Sequence, residues 1–347
     1  MIDFRYHLVS IVAVFLALAI GIVLGATNLR GGTLDLLQTT NDSLKNQLTA
    51  AQAARDGYLS QSSAAEQYLQ SAEPTLLARQ LAGESLVIVT EPGAQGSVVD
   101  GIKQAATLAG ATVTGEVALQ PKFNDISGAN QSSLSSINNS IASQDGATLT
   151  TGSNPQTTYQ QQAAQLIASA ILATSTTAVA PTDAQSVLSA YAQGGYLTVS
   201  PAGAPTAPAQ LAVIVTPESA PADGQNDPAN QVLLAVAQEF AGASSATLVA
   251  GSALGSAQSG SAMSVLRSSS VSSQVSSVDD ADLTLGQITV VNALADQLAG
   301  KKPNSYGISG ASAVNPSPLP TPTSTTSTAT QTATPHSTTT RKAGAKK

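Results

Sequence analysis

The 347-residue sequence contains no cysteine, which excludes disulfides, thiolate metal sites and cysteine nucleophiles by inventory. Histidine is almost as scarce. Only His7 and His336 occur, and neither falls in the middle of the chain, so Ser-His-Asp hydrolysis and imidazole-ligated zinc or copper have no residues to work with there. Methionine is confined to Met1 and Met263. Charged residues make up 10% of the chain and aromatic residues 3%. The ends are basic: residues 1–30 hold Asp3, Arg5 and Arg30, and the last 35 residues hold Arg341, Lys342, Lys346 and Lys347 with no acid. The overall charge of -7 therefore leaves an excess of twelve acids in the middle, too acidic for a groove that follows a phosphate backbone, and nucleic acid is excluded as a partner. A serine-lysine dyad would have to use Lys103 or Lys122, and nothing singles out a serine beside either, so the chain reads as non-enzymatic.

What the sequence does hold is a long uncharged run. From Leu8 to Leu29 no residue is charged, which matches the roughly 20 residues needed to cross about 30 Å of hydrocarbon and exceeds the apolar core of a cleaved secretory signal. It predicts one transmembrane helix over 8–29, with 1–7 cytoplasmic, the remainder exported, and a single-pass place in the cell (inner) membrane. Flanking charge decides the orientation weakly; the polar C-terminal tail suits the exterior. Ala13, Ala17, Gly21 and Gly25 recur every four residues and put small side chains on one helical face, where two copies can approach closely; small residues are also simply common in such helices.

Residues 31–73 change to a heptad pattern. Leu34, Asn41 and Leu48 share one position and Leu37 and Leu44 the other, the seam of a coiled-coil stalk in a homodimer or higher homo-oligomer. An asparagine at the seam costs stability and fixes register. Arg55 and Ser62 interrupt the pattern, which leaves open an amphipathic helix folded back on its own domain. Pro74 is expected to end the helix. Some 40 helical residues at about 1.5 Å each would reach about 60 Å from the membrane.

Between 80 and 307, short β-branched runs alternate with helical stretches, the pattern of an α/β domain with mostly parallel strands. SLVIVT (85–90) reads as a buried strand, EPGAQG (91–96) as a turn, the next residues as a helix ending at Gly110, and 111–119 as a second strand. The order recurs with LAVIVTP (211–217), a helix over 228–242 and ATLVAG (246–251). Two related halves, 80–200 and 205–307, would explain this, and so would convergence of two buried strands on one composition. Helices are expected over 157–173, 183–193 and 286–300, the last with Ile288, Val291, Leu294, Ala295 and Leu298 on one face, and a strand over 196–200. Residues 308–347 form a disordered tail: 20 of the 26 residues in 315–340 are Ser, Thr or Pro, which supply no core.

Two features stand where an α/β fold presents ligands. Gly93 and Gly96 follow the first strand and Gly251 and Gly255 a later one, yet neither pair completes a dinucleotide or P-loop fingerprint, so tight-turn roles are expected. Asp279, Asp280 and Asp282 form the most unusual local group, weak candidates for a hard cation; the competing reading has one aspartate capping the last helix and the others facing water. No cofactor is evident.

The opening MIDFRYHLVSIVAVFLALAIGIVLGA, the LVIVTEPGA strand and turn, the VDDADLTLGQITVVNALADQLAGK segment and the following Tyr306-Gly307 resemble the actinobacterial copper transporter family named for mycobacterial copper transport protein B. The resemblance implies an envelope protein of copper transport or efflux, with copper as its metal. A related branch implies something else: a septal scaffold for cell separation, working with a cytoplasmic partner and a peptidoglycan (cell-wall) hydrolase. Copper favours sulfur or imidazole ligands, which this inventory barely offers.

Overall fold

The computed structural model describes residues 4–152, 154–173, 181–199 and 204–316, and divides into two units, Met1–Tyr68 and Leu69–Lys347. The described residues of the first unit are all helical, part of α1 (Phe4–Leu77). Its stretch Tyr6–Ala26 is long and apolar enough to cross a bilayer, and every side chain in it is exposed. Ala13, Ala17, Gly21 and Gly25 all lie in this stretch, and a Cβ added at Gly21 or Gly25 would meet nothing within 4 Å. Leu37, Asn41, Leu44 and Leu48 are likewise exposed, whereas the side chain of Leu34 and the tail from 317 onward lie outside the described residues. Pro74 does not end the helix as expected. It sits inside α1, three residues before Leu77, which is fully buried against the folded domain together with Leu81. The burial of Leu77 and Leu81 beyond the proline offsets the lost hydrogen bond and the ring clash at Pro74.

The second unit is built on a seven-stranded sheet in the order β3-β2-β1-β4-β5-β6-β7. Its strands are β1 (Ser85–Thr90), β2 (Thr112–Leu119), β3 (Leu197–Val199), β4 (Leu211–Val215), β5 (Ala246–Ala250), β6 (Ser276–Val278) and β7 (Ser305–Tyr306). All pairings are parallel except that of the short edge strand β3 with β2. β1 and β4 read as continuous apolar runs because both faces of each are covered. Leu86 and Ile88 point into one core, with Leu211, Val213 and Val215 of β4, α2 (Gly96–Leu108) and α9 (Thr284–Leu298). Val87 and Val89 point into the other, with Ala212 and Ile214, α4 (Thr158–Ile171), α5 (Pro181–Gln193) and α6 (Pro228–Ala243). α9 is buried well beyond the one face expected, since Val290 and Ala293 join the core as well.

The two similar strand sequences turn out to be immediate neighbours. Leu86 pairs with Leu211 and Thr90 with Val215, in register throughout, and Gln210 binds Ser85 through backbone and side chain. From this central pair the chain winds outward both ways, β1-α2-β2 to one side and β4-α6-β5 to the other. Two strands at the middle of one sheet meet the same demand for β-branched residues on both faces.

The helix α3 (Gly128–Asp145) gives no periodic signal in the sequence and is held by polar anchors instead. Tyr191 donates to Asn138 Oδ1 at 2.7 Å, Asn138 Nδ2 donates to the Tyr159 carbonyl at 2.9 Å, and Tyr196 donates to Asn130 Oδ1 at 3.0 Å. Buried phenols and amides that satisfy one another in this way fix the register of three helices.

Candidate functional site

Winding in opposite directions from β1 and β4 leaves a crevice beyond the carboxyl ends of these strands, the place where open α/β sheets bind ligands. Here the chain forms a cavity of about 260 Å³, lined by Glu91, Pro92, Gly93, Asn124, Pro217, Ser219, Pro221, Ala229, Asn230 and Ala262. Each element contributes a loop end. Glu91 is the first residue after β1, and its N–H donates to the Val215 carbonyl at 2.9 Å, which extends the pairing of β1 with β4 by one residue. Ala94 N–H then closes a turn on the Glu91 carbonyl at 3.0 Å, with Gly93 at φ +90°, a backbone conformation that favours glycine, and a Cβ there would press on Pro217 at 3.3 Å. Asn124 closes the 3₁₀ turn Pro121–Asn124 that follows β2, and Ala229 and Asn230 stand at the start of α6.

Glu91 is only 6% exposed, and no donor among the described residues reaches its carboxyl. Burial pushes its pKa up to about 8, so the side chain is a neutral acid at pH 7, able to donate one hydrogen bond and accept another. Asn124 Oδ1 is also buried without a partner. Asn230, by contrast, has its amide nitrogen committed, Nδ2 donating to the carbonyls of Gly224 at 2.8 Å and Gly260 at 2.9 Å.

The three aspartates flagged in the sequence are separated into three different roles. Asp279 is fully buried and receives Arg267 Nη1 at 2.8 Å and the N–H groups of Ile308 at 2.7 Å and Ser309 at 3.0 Å. Arg267, on α8 (Ala262–Ser268), also donates to Ser277, to the Ser309 carbonyl and to the Tyr306 carbonyl, so the pair staples β6 to β7 and the loop beyond it. A Cβ on Gly307 would collide with the Asp279 carboxyl. Asp280 is equally buried, but neither oxygen has a partner, and burial followed by the Asp279 charge pushes its pKa up to about 6. Asp282 alone is exposed, and it accepts from the Ala253 N–H at 2.8 Å. The expectation that one aspartate caps the last helix and the others face water is corrected: the N-cap of α9 is Leu283, which makes no side-chain cap, and two of the three aspartates lie in the core. Among the described residues no group of three or more His, Cys, Asp or Glu side chains stands close enough to hold a metal ion.

Of the glycines singled out in the sequence, Gly93, Gly251 and Gly255 serve close approach, whereas a Cβ on Gly96 would meet nothing within 4 Å. Gly251 lies against Thr216 and Ser256, and Gly255 against the Glu218 backbone. Lys103 is committed to Glu116 at 2.6 Å, and Lys122 to the Gly194 carbonyl at 2.8 Å with the Tyr196 ring beneath it. Glu91 and Asn124 were passed over by sequence reasoning, which took 91–96 as a plain turn. The available signal was an acid placed directly after a buried, largely apolar strand, and it means nothing until the strand order puts it at the reversal of winding.

Comparison with known proteins bears on the whole chain. Residues 1–316 match the family described as "Copper transport outer membrane protein, MctB". Copper transporter MctB of Mycobacterium tuberculosis (strain ATCC 25618 / H37Rv) is 32% identical over 323 residues, 91% of this chain and 100% of that protein. The protein of the same name in Mycobacterium leprae (strain TN) is 30% identical over 325 residues, 90% of this chain and 99% of the relative. With the apolar helix at its start and this match along almost its full length, the chain belongs to the MctB family of membrane-associated copper transport proteins.

Proposed function

We propose that the chain serves copper transport or efflux at the cell envelope. The observation that supports this reading is the family match across residues 1–316, together with relatives, matched over almost their whole length, that are named copper transporters. In this reading α1 anchors the protein in the cell (inner) membrane as a single span, with the N-terminus cytoplasmic and the α/β domain outside. The family description says outer membrane, but an α-helix of this kind, rather than a closed barrel, is what the described residues offer a bilayer. The small-residue face at Ala13, Ala17, Gly21 and Gly25 and the seam at Leu34, Leu37, Asn41, Leu44 and Leu48 pair two copies, which accounts for apolar side chains left exposed in a single chain.

The ligand chemistry limits how the protein takes part. Met263 is 1% exposed inside the core, His7 lies within the apolar segment, and there is no cysteine, so the domain has no soft donor set with which to carry copper itself. Its part is accessory: a non-enzymatic, membrane-tethered domain acting on the copper path through other components. Deleting the gene should raise cellular copper and copper sensitivity, measured by elemental analysis and growth inhibition; unchanged values sink the proposal. The same poverty of copper ligands favours a second reading, a septal scaffold linking a cytoplasmic partner to a peptidoglycan hydrolase. Under that reading the deletion strain shows chained, unseparated cells at normal copper content, and cross-linking from the exported domain captures a hydrolase; normal separation removes it.

A further inference from the structure

Three candidates stand outside the reading above: the sealed Asp280, the Arg267-Asp279 staple and the switch-point crevice. Asp280 has no opening to solvent, and the staple has its hydrogen bonds filled from within. The crevice differs from both because it is an open cavity at a ligand-binding position, with the carboxyl-bearing Glu91 among its lining residues.

We propose that the crevice between the carboxyl ends of β1 and β4 binds a primary carboxamide. The argument is a count of hydrogen bonds. Glu91, buried and without a partner, presents one O–H donor and one carbonyl acceptor side by side on the cavity wall, whereas Asn124 Oδ1 is sealed from solvent. A complementary ligand group must accept once and donate once on the same side. A primary carboxamide does this with its carbonyl and the N–H on the same side paired to Glu91, which the trans N–H of an ordinary secondary amide cannot do. An ester or ketone lacks the donor, and a carboxylate lacks it too and would bring a second negative charge toward an acid. Pro92, Pro217, Pro221, Ala229 and Ala262 supply apolar walls for the few carbons beyond the amide, and about 260 Å³ suits a small molecule or the tip of a larger one. Glu91 is the single titratable side chain on the cavity wall, so its protonation sets the pH response of binding.

The chemistry has two sources, a free small amide or an amidated peptide, and the experiment separates them. Full-length protein in nanodiscs is titrated with propanamide, with alanyl-alaninamide and with propanoate, followed by ligand-observed NMR. Saturable binding of propanamide or the dipeptide amide, with none of propanoate, is expected. Equal affinity for the two amides identifies a free small ligand, and dipeptide binding about tenfold tighter identifies a peptide. Affinity should fall about tenfold per pH unit above about pH 8, as the Glu91 donor is lost. E91Q, which keeps a donor and an acceptor, binds at pH 7 and shows no such fall. E91L removes both and should weaken binding at least tenfold; Ala229→Leu, at the half-buried start of α6, should do so by filling the crevice. Absence of saturable amide binding, equal binding of propanoate, or undiminished binding by both E91L and Ala229→Leu would overturn the assignment.

Discussion

Glu91 and Asp279 occupy equivalent places, each the first residue after a parallel strand and each buried at the carboxyl edge of the sheet, yet they are handled in opposite ways. Asp279 meets a guanidinium and two backbone N–H groups, and its charge is spent holding β7 and the following loop onto β6. Glu91 meets nothing, keeps its proton and opens on a cavity. The difference follows from position in the winding. At β6 the chain returns across the strand end through residues 305–313 and brings donors with it. At β1 and β4 the chain departs in both directions, so no segment crosses to supply a partner. A buried acid with donors is a fastening, and one without them is a cost in stability.

The comparison breaks most visibly at the fastening. Arg267→Ala leaves Asp279 charged and buried, and should destabilise the protein by about 3–5 kcal/mol in urea unfolding of the detergent-solubilised chain. A loss below about 1 kcal/mol would mean the staple is ornamental.

At the unpartnered acid the sign reverses. Glu91 holds its proton to about pH 8 when folded but releases it near 4.5 when unfolded, so the folded state carries the extra proton between those values and stability falls as pH rises through that window, by about 1.4 kcal/mol per unit. E91Q removes this slope, and should gain about 4 kcal/mol at pH 8 relative to the parent while changing little at pH 4. An unchanged pH profile would show that Glu91 is solvated after all.

Asp280 is the smaller version of the same effect. Its window runs from about 3.8 to about 6, and Asp280→Asn should gain about 3 kcal/mol at pH 7, read from the same unfolding curves. The smallest effect belongs to the half-exposed pair of Lys103 and Glu116, where Lys103→Met should cost under about 1 kcal/mol and should shrink further in high salt.

Much of this fold could be read along the chain, but little of the site could. The apolar span, the strands at 85–90, 211–215 and 246–250, and the helices at 158–171 and 228–243 all announce themselves through runs or periodicity that local physics imposes. Pro74 misled because its helix is held beyond it by Leu77, a contact no local rule contains. α3 was missed because its anchors are Asn130 and Asn138, polar residues whose value depends on tyrosines 50 to 70 positions away. Three adjacent aspartates looked like one feature and became three, because successive residues after a strand end turn to different neighbours.

The sequence by itself determined the class of the protein: an apolar N-terminal helix, an α/β domain, and an inventory with no thiol and with histidine only at positions 7 and 336, since these depend on which residues exist and how they repeat. Only the tertiary structure decided which carboxyl is a fastening and which an open acid. Charge state and hydrogen bonding depend on what the fold brings across a strand end, and that is settled by strand order, which no stretch of sequence encodes locally.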